Sequence, residues 1–122
     1  MKIQSEQLKA TVDKILKEYG DEAKEVVEES IQGTAKEAAK KLKSAGDFGG
    51  KGTYKKGWTA KVEKKRAQVY AVVYNSTRYQ LTHLLEYGHA KQNGGRTRAF
   101  EHIAPVNDWA QEEILEKLKE KL

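Results

Sequence analysis

Three histidines, His83, His89 and His102, lie between Gln80 and Ile103, and Glu86 stands among them. Imidazoles and carboxylates are common zinc ligands and common agents of general acid–base catalysis. His83 and Glu86 are one turn apart in a helix and would share a face. The spacings match no metal-binding motif, however. The competing reading is that the imidazoles hydrogen-bond to backbone and lock the loop that follows the helix. The chain contains no cysteine, which excludes a disulfide framework, a thiolate metal site and a thiolate nucleophile. Metal-dependent hydrolysis usually needs clustered carboxylates. Residues 46–98 offer only Asp47, Glu63 and Glu86, with no close pair. A metal-free ribonuclease built from His, Arg and Tyr fits the composition, but nothing in the chain requires it.

Phosphate recognition is the next chemistry to test. Gly50-Lys51 lies in a stretch rich in glycine, but a phosphate loop needs Gly at position 45 and Ser or Thr at position 52. Ala45 and Gly52 stand there, so the stretch reads as a flexible loop or hairpin tip. A basic loop is more suggestive. Lys91, Arg96 and Arg98 flank Gln92-Asn93-Gly94-Gly95, and Lys55, Lys56, Lys61, Lys64, Lys65 and Arg66 add charge nearby. Tyr54, Trp58, Tyr70 and Tyr74 are interleaved with them. Exposed aromatics beside cations suit single-stranded nucleic acid, whereas aromatics at inward strand positions fill a core. The core reading is favoured for the aromatics.

The net charge of +5 is unevenly spread. Residues 1–45 balance to zero, residues 46–98 carry +8, and residues 99–122 carry −3. A basic centre can meet phosphate or an acidic protein, and a chain with segregated signs can meet a copy of itself. At 122 residues the chain is one domain with one modest core. No apolar run is long enough to span a membrane. The polar start of the chain does not read as a secretory signal, so a protein made in a reducing cytoplasm is the expectation.

These side chains must be positioned by four blocks. Residues 1–45 place Leu8, Val12, Ile15, Tyr19, Ala23, Val27, Ile31, Ala35, Ala38 and Leu42 on a single apolar stripe, the mark of a long helical arm. Ser5 suits its N-cap, and Gly20 is the place where it could split. Two readings stay open for it, a pair of ordinary helices packed on a small sheet or an arm reaching a neighbouring subunit. Residues 46–53 form the glycine loop. Residues 54–104 hold a hairpin, a short helix, the basic loop and, at residues 97–103, a further strand. Trp58, Ala60 and Val62 alternate in the first strand. The second strand is apolar on both faces from Val69, as expected of a central strand. Asn75-Ser76-Thr77 turns the chain and can cap the short helix. Residues 105–122 form a closing helix with Pro105 in its first turn. The expected fold is α+β: a long N-terminal helix, a small, mostly antiparallel sheet of about three to four strands, a short middle helix and a C-terminal helix.

The stretch from Tyr74-Asn75 through Leu81, His83, Leu84, Leu85, Glu86, Gly88 and His89 to His102-Ile103-Ala104-Pro105 resembles a family of small tail or neck components of long-tailed bacteriophages and prophages. The family pattern is a strand ending in Tyr-Asn, then Leu-x-His-Leu-Leu-Glu-x-Gly-His. A glycine loop and a His-Ile-x-Pro start to the last helix follow. The chain departs from many relatives at Phe100-Glu101, where a more basic or proline-containing approach is expected. The resemblance implies a non-enzymatic virion protein without cofactor, made in the host cytoplasm and placed at the head–tail joint. It implies ring-like assembly with itself, for instance as a hexamer, and with other neck and tail proteins. Leu81, His83, Leu84, Leu85, Glu86, Gly88, His89, His102 and Pro105 then serve fold and loop placement, and Lys91, Arg96 and Arg98 become a surface facing a partner or DNA. The alternative from the residues alone is a small basic nucleic-acid-binding protein or RNA-cleaving toxin.

Overall fold

The computed structural model describes residues 1–46, 52–65 and 68–121. Elements run β1 (Lys2–Ile3), α1 (Glu6–Tyr19), α2 (Asp21–Ala45), α3 (Thr53–Lys56), β2 (Trp58–Lys65), β3 (Gln68–Asn75), α4 (Leu81–Tyr87) and α5 (Ile103–Lys121). The architecture is α+β, with long N-terminal helices, a three-stranded antiparallel sheet, and middle and C-terminal helices. Most of the expected glycine loop and the tip of the hairpin at residues 66–67 lie outside the described residues.

The long N-terminal helix is two helices. Ser5 Oγ accepts from Leu8 N at 3.1 Å and caps α1. Gly20 ends it with φ 64° and ψ −145°, a conformation open essentially to glycine alone. Asp21 and Glu22 then favour the positive end of α2. The inner stripe of α2, with Val27, Ile31, Ala35, Ala38 and Leu42, is fully buried, so α2 belongs to the core and does not project as an arm. Its alanines let α5 and the sheet approach closely. Ile114 and Leu118 of α5 and Ala71 and Val73 of β3 complete the core. Burying one Ile or Leu of this set contributes about 1.5–3 kcal/mol. Lys117 Nζ bonds Thr34 Oγ1 at 2.9 Å and ties α5 to α2.

The strand order is β1-β3-β2, with β3 central. Trp58 pairs with Asn75 and Val62 with Ala71, which puts Trp58, Val69, Ala71, Val73 and Asn75 on the helix-covered face. Tyr70, Val72 and Tyr74 point to the open face, so the core reading holds for Trp58 and Tyr54 but not for Tyr70 and Tyr74. Three expectations are corrected. Residues 53–56 form a single helical turn held between Gly52 and Gly57, not the start of a strand. The third strand is β1, at the beginning of the chain, not residues 97–103. The backbone of that later stretch is bonded elsewhere: Thr97 N to His89 O at 2.8 Å and Phe100 N to Leu85 O at 2.6 Å. Finally, Asn75 caps a turn, with Oδ1 accepting from Thr77 N and Arg78 N, while the N-cap of α4 is Gln80.

Candidate functional site

Glu86 lies near the end of α4 and is only 5% exposed. Its carboxylate faces the start of α5. Oε1 accepts from His102 N at 2.7 Å and Ile103 N at 2.9 Å, and Oε2 accepts from Ala104 N at 3.0 Å. A helix start leaves its first N–H groups without intrahelical partners, and a carboxylate there satisfies them and complements the dipole. Glu86 is thus an N-cap supplied from a different helix. Burial alone pushes its carboxyl up, but the backbone bonds and the His102 ring outweigh that and hold it below the ordinary carboxylate range.

His102 extends the chain of bonds. Its Nδ1 lies 2.6 Å from Phe100 O and 3.0 Å from Glu86 Oε1, both acceptors, which assigns a proton to Nδ1. Nε2 meets the Tyr54 hydroxyl at 2.6 Å. Burial, then the Glu86 charge, raise the Tyr54 hydroxyl pKa well above its ordinary value. Trp58 packs edge-on against both rings, at 5.6 Å from Tyr54 and 6.1 Å from His102. The run Tyr54–His102–Glu86 ends in the backbone of α5, and the carboxylate's oxygens are directed at donors of its own chain.

Among the motif residues, the structure brings together Glu86 and His102. Gly88 has φ 71°, and a Cβ there would come within 2.6 Å of Thr97 O. Leu81 and Leu85 pack against the core. Pro105 sits in the first turn of α5, as the sequence predicts. His83 and Glu86 line one groove but differ in exposure: Glu86 is buried, while exposed His83 stacks on Tyr87 at 6.1 Å. His89 is exposed and its Nδ1 meets Thr97 Oγ1 at 3.1 Å. Among the described residues, no group of three or more His, Cys, Asp or Glu could hold a metal ion.

The basic loop is a small hairpin. Ala90 bridges Arg96, Lys91 N donates to Gly95 O at 2.9 Å, and Gly94 and Gly95 turn with positive φ. Lys91, Arg96 and Arg98 are all exposed. Arg96 Nη2 reaches Gly88 O at 3.3 Å, and Arg98 lies over the Phe100 ring. On and just before α4, Tyr79 and Tyr87 are 72% and 69% exposed, and Leu84 is also exposed. A groove of about 560 Å³ opens beside them, lined in part by Tyr74, Tyr79, His83, Tyr87, Ile103 and Asn107.

Sequence reasoning missed Asn75, Thr77 and Gly57 as a unit. Asn75 Nδ2 donates to Tyr54 O at 2.6 Å, and Thr77 Oγ1 donates to Thr53 O at 2.7 Å. A Cβ on Gly57 would collide with Thr77 Oγ1 and Asn75 Oδ1. The available signal was parity: strand alternation puts Asn75 on the same face as Val69, Ala71 and Val73, and a buried amide needs partners.

Fold and site together define a two-layer α+β protein whose motif residues brace one helix against another beside an exposed apolar and basic surface. The chain belongs to the bacteriophage HK97-gp10-like family, described as a putative tail-component, whose family model matches residues 6–88. No significant match exists among curated proteins or solved structures. The match covers α1 to α4 and ends at Gly88. It includes Glu86 and stops before the basic loop and His102.

Proposed function

We propose that this protein is a non-enzymatic virion component that helps join or complete the phage tail at the head–tail interface by ring-like assembly. Membership of a tail-component family carries the reading. The site is in keeping with it. Glu86 and His102 are engaged in capping α5, and exposed Tyr79, Leu84 and Tyr87 leave an apolar surface of the kind that meets protein. A ring requires heterologous contacts. That surface and the basic loop are assigned to the neighbouring copy or to an adjoining neck or tail protein, near packaged DNA. The reading places the protein in the virion neck or tail after synthesis in the host cytoplasm, with no cofactor. Nucleic-acid binding draws less support, because Lys61 and Lys64 are paired with Glu63 and Glu28 at 2.9 and 3.0 Å.

Solution mass by size exclusion with light scattering, over a range of concentrations, tests the proposal. A ring, or mass rising with concentration, is expected. A strict monomer that binds RNA with steep salt dependence, or arrests growth unless His83, His89 or Arg98 is replaced, overturns it.

A further inference from the structure

The sheet ends at β2, and among the described residues nothing pairs with its outer edge. The ladder fixes which groups that edge offers. Gly57 O accepts from Ser76 N at 2.8 Å, and the same register continues through Thr59↔Tyr74, Lys61↔Val72 and Glu63↔Tyr70. Opposed residues in an antiparallel ladder alternate between exchanging hydrogen bonds and not doing so. The odd-numbered residues of β2 therefore direct their backbone groups at β3, while Ala60, Val62 and Lys64 direct N–H and C=O outward. The other side of β3 obeys the same parity, since Val73 N donates to Met1 O at 2.8 Å.

A groove of about 310 Å³ runs beside this edge, between β2 and α2, with Glu28, Gln32, Lys36, Ala60, Val62 and Lys64 in its lining. Lysines commonly protect an edge strand from pairing. Here Lys61 is matched by Glu63 and Lys64 by Glu28, so the edge carries balanced charge.

We propose that a second copy of this chain docks on this edge, β2 against β2 in antiparallel orientation, about a two-fold axis through Val62. Charge favours one register, since Val62 is the one centre that sets opposite charges across the seam; centring on Ala60 sets Lys61 against Thr59. Centring on Lys61, Glu63 or Lys64 would set that residue against its own copy, which is unfavourable. Centring on Val62 sets Lys61 opposite the other copy's Glu63, and Glu63 opposite its Lys61. It also lets Ala60, Val62 and Lys64 complete their outward hydrogen bonds. The groove side of α2 has the same symmetry. About Gln32, Glu28 of one copy corresponds to Lys36 of the other, each one turn from the centre. The result is one continuous six-stranded sheet with the helices of both copies on one face. This dimer goes beyond the ring reading and does not rest on it, because it uses neither Tyr79, Leu84 and Tyr87 nor the basic loop.

Sedimentation of the full chain at high concentration tests the proposal. The Val62 N–H points outward, so Val62→Pro removes a donor only from the dimer contact. The variant should be monomeric, its dimer constant weakened about a hundredfold, with circular dichroism close to wild type and a lower melting temperature, because Val62 also packs against the core. Lys61→Glu and Glu63→Lys should each weaken the dimer about tenfold, and K61E/E63K together should restore it. If Val62→Pro fails to fold, the charge series decides. A wild type that stays monomeric overturns the proposal. So does association untouched by all of these variants, an outcome that leaves ring assembly through the other surface standing.

Discussion

Glu86 and His102 are joined twice, once through the His102 backbone N–H at 2.7 Å and once through its ring Nδ1 at 3.0 Å. The double contact fixes both the position of the first turn of α5 and the orientation of the imbedded ring. The connection from α4 to α5, which carries the basic loop, is therefore clamped where it leaves α4 and where it enters α5.

Glu86→Gln should lower stability at neutral pH by about 2–3 kcal/mol, because an amide replaces a charged acceptor of backbone N–H groups. The sign of the pH dependence follows from the lowered carboxyl. Its contribution is complete above the ordinary carboxylate range and is lost as pH falls through the folded-state value. Denaturation at several pH values should show wild type and E86Q converging in acid.

Tyr54→Phe removes the hydroxyl that meets His102 Nε2 and should cost about 1–2 kcal/mol. The raised hydroxyl pKa adds a second signature. The unfolded chain loses this proton before the folded one, so the tyrosine's contribution is intact below about pH 10 and lost above it. Alkaline melts of Y54F should lack that loss.

Alanine at three glycines should give a graded series of melting temperatures. Gly20→Ala meets open space and bears only the cost of its positive φ, about 1–2 kcal/mol. Gly57→Ala collides with Asn75 and Thr77 and should cost more, about 2–3 kcal/mol. Gly88→Ala combines positive φ with a backbone collision at Thr97 O and should be the most damaging.

Charge reversal at Lys91, Arg96 and Arg98 should weaken self-association or partner docking without a matching fall in melting temperature. The three side chains are exposed; Arg96 reaches Gly88 O, and Arg98 lies over the Phe100 ring. A fall of many degrees would assign the loop to the fold instead.

Much of this architecture was legible because it rests on local periodicity. Val69 to Tyr74, apolar on both faces, marked the central strand, and Gly20 and Pro105 marked helix limits. What stayed hidden depends on partners remote in sequence. Lys2–Ile3 is too short to show a period and becomes a strand only by pairing with Val72 and Ala71. Residues 97–103 look extended, yet their backbone groups are claimed by His89, Leu85 and Glu86. For the site, the sequence offers Glu86 and His102 as candidates by residue type and motif position alone. That the carboxylate caps a helix beginning beyond the loop, and that Tyr54 completes the run of bonds, are tertiary facts that no spacing encodes. Tyr70 and Tyr74 were misjudged because strand alternation does not say which face the helices cover.

The pairing of Lys2 with Val72 also dictates a timetable. During synthesis, β1 and α1 leave the ribosome long before β3 has been translated, so the sheet cannot close until the hairpin is made. Closing so wide a loop is entropically slow compared with forming the β2–β3 hairpin. The first strand in the chain is therefore among the last to be seated, and pulses of amide labelling during refolding should find Ile3 and Ala71 protected after Lys61 and Val72.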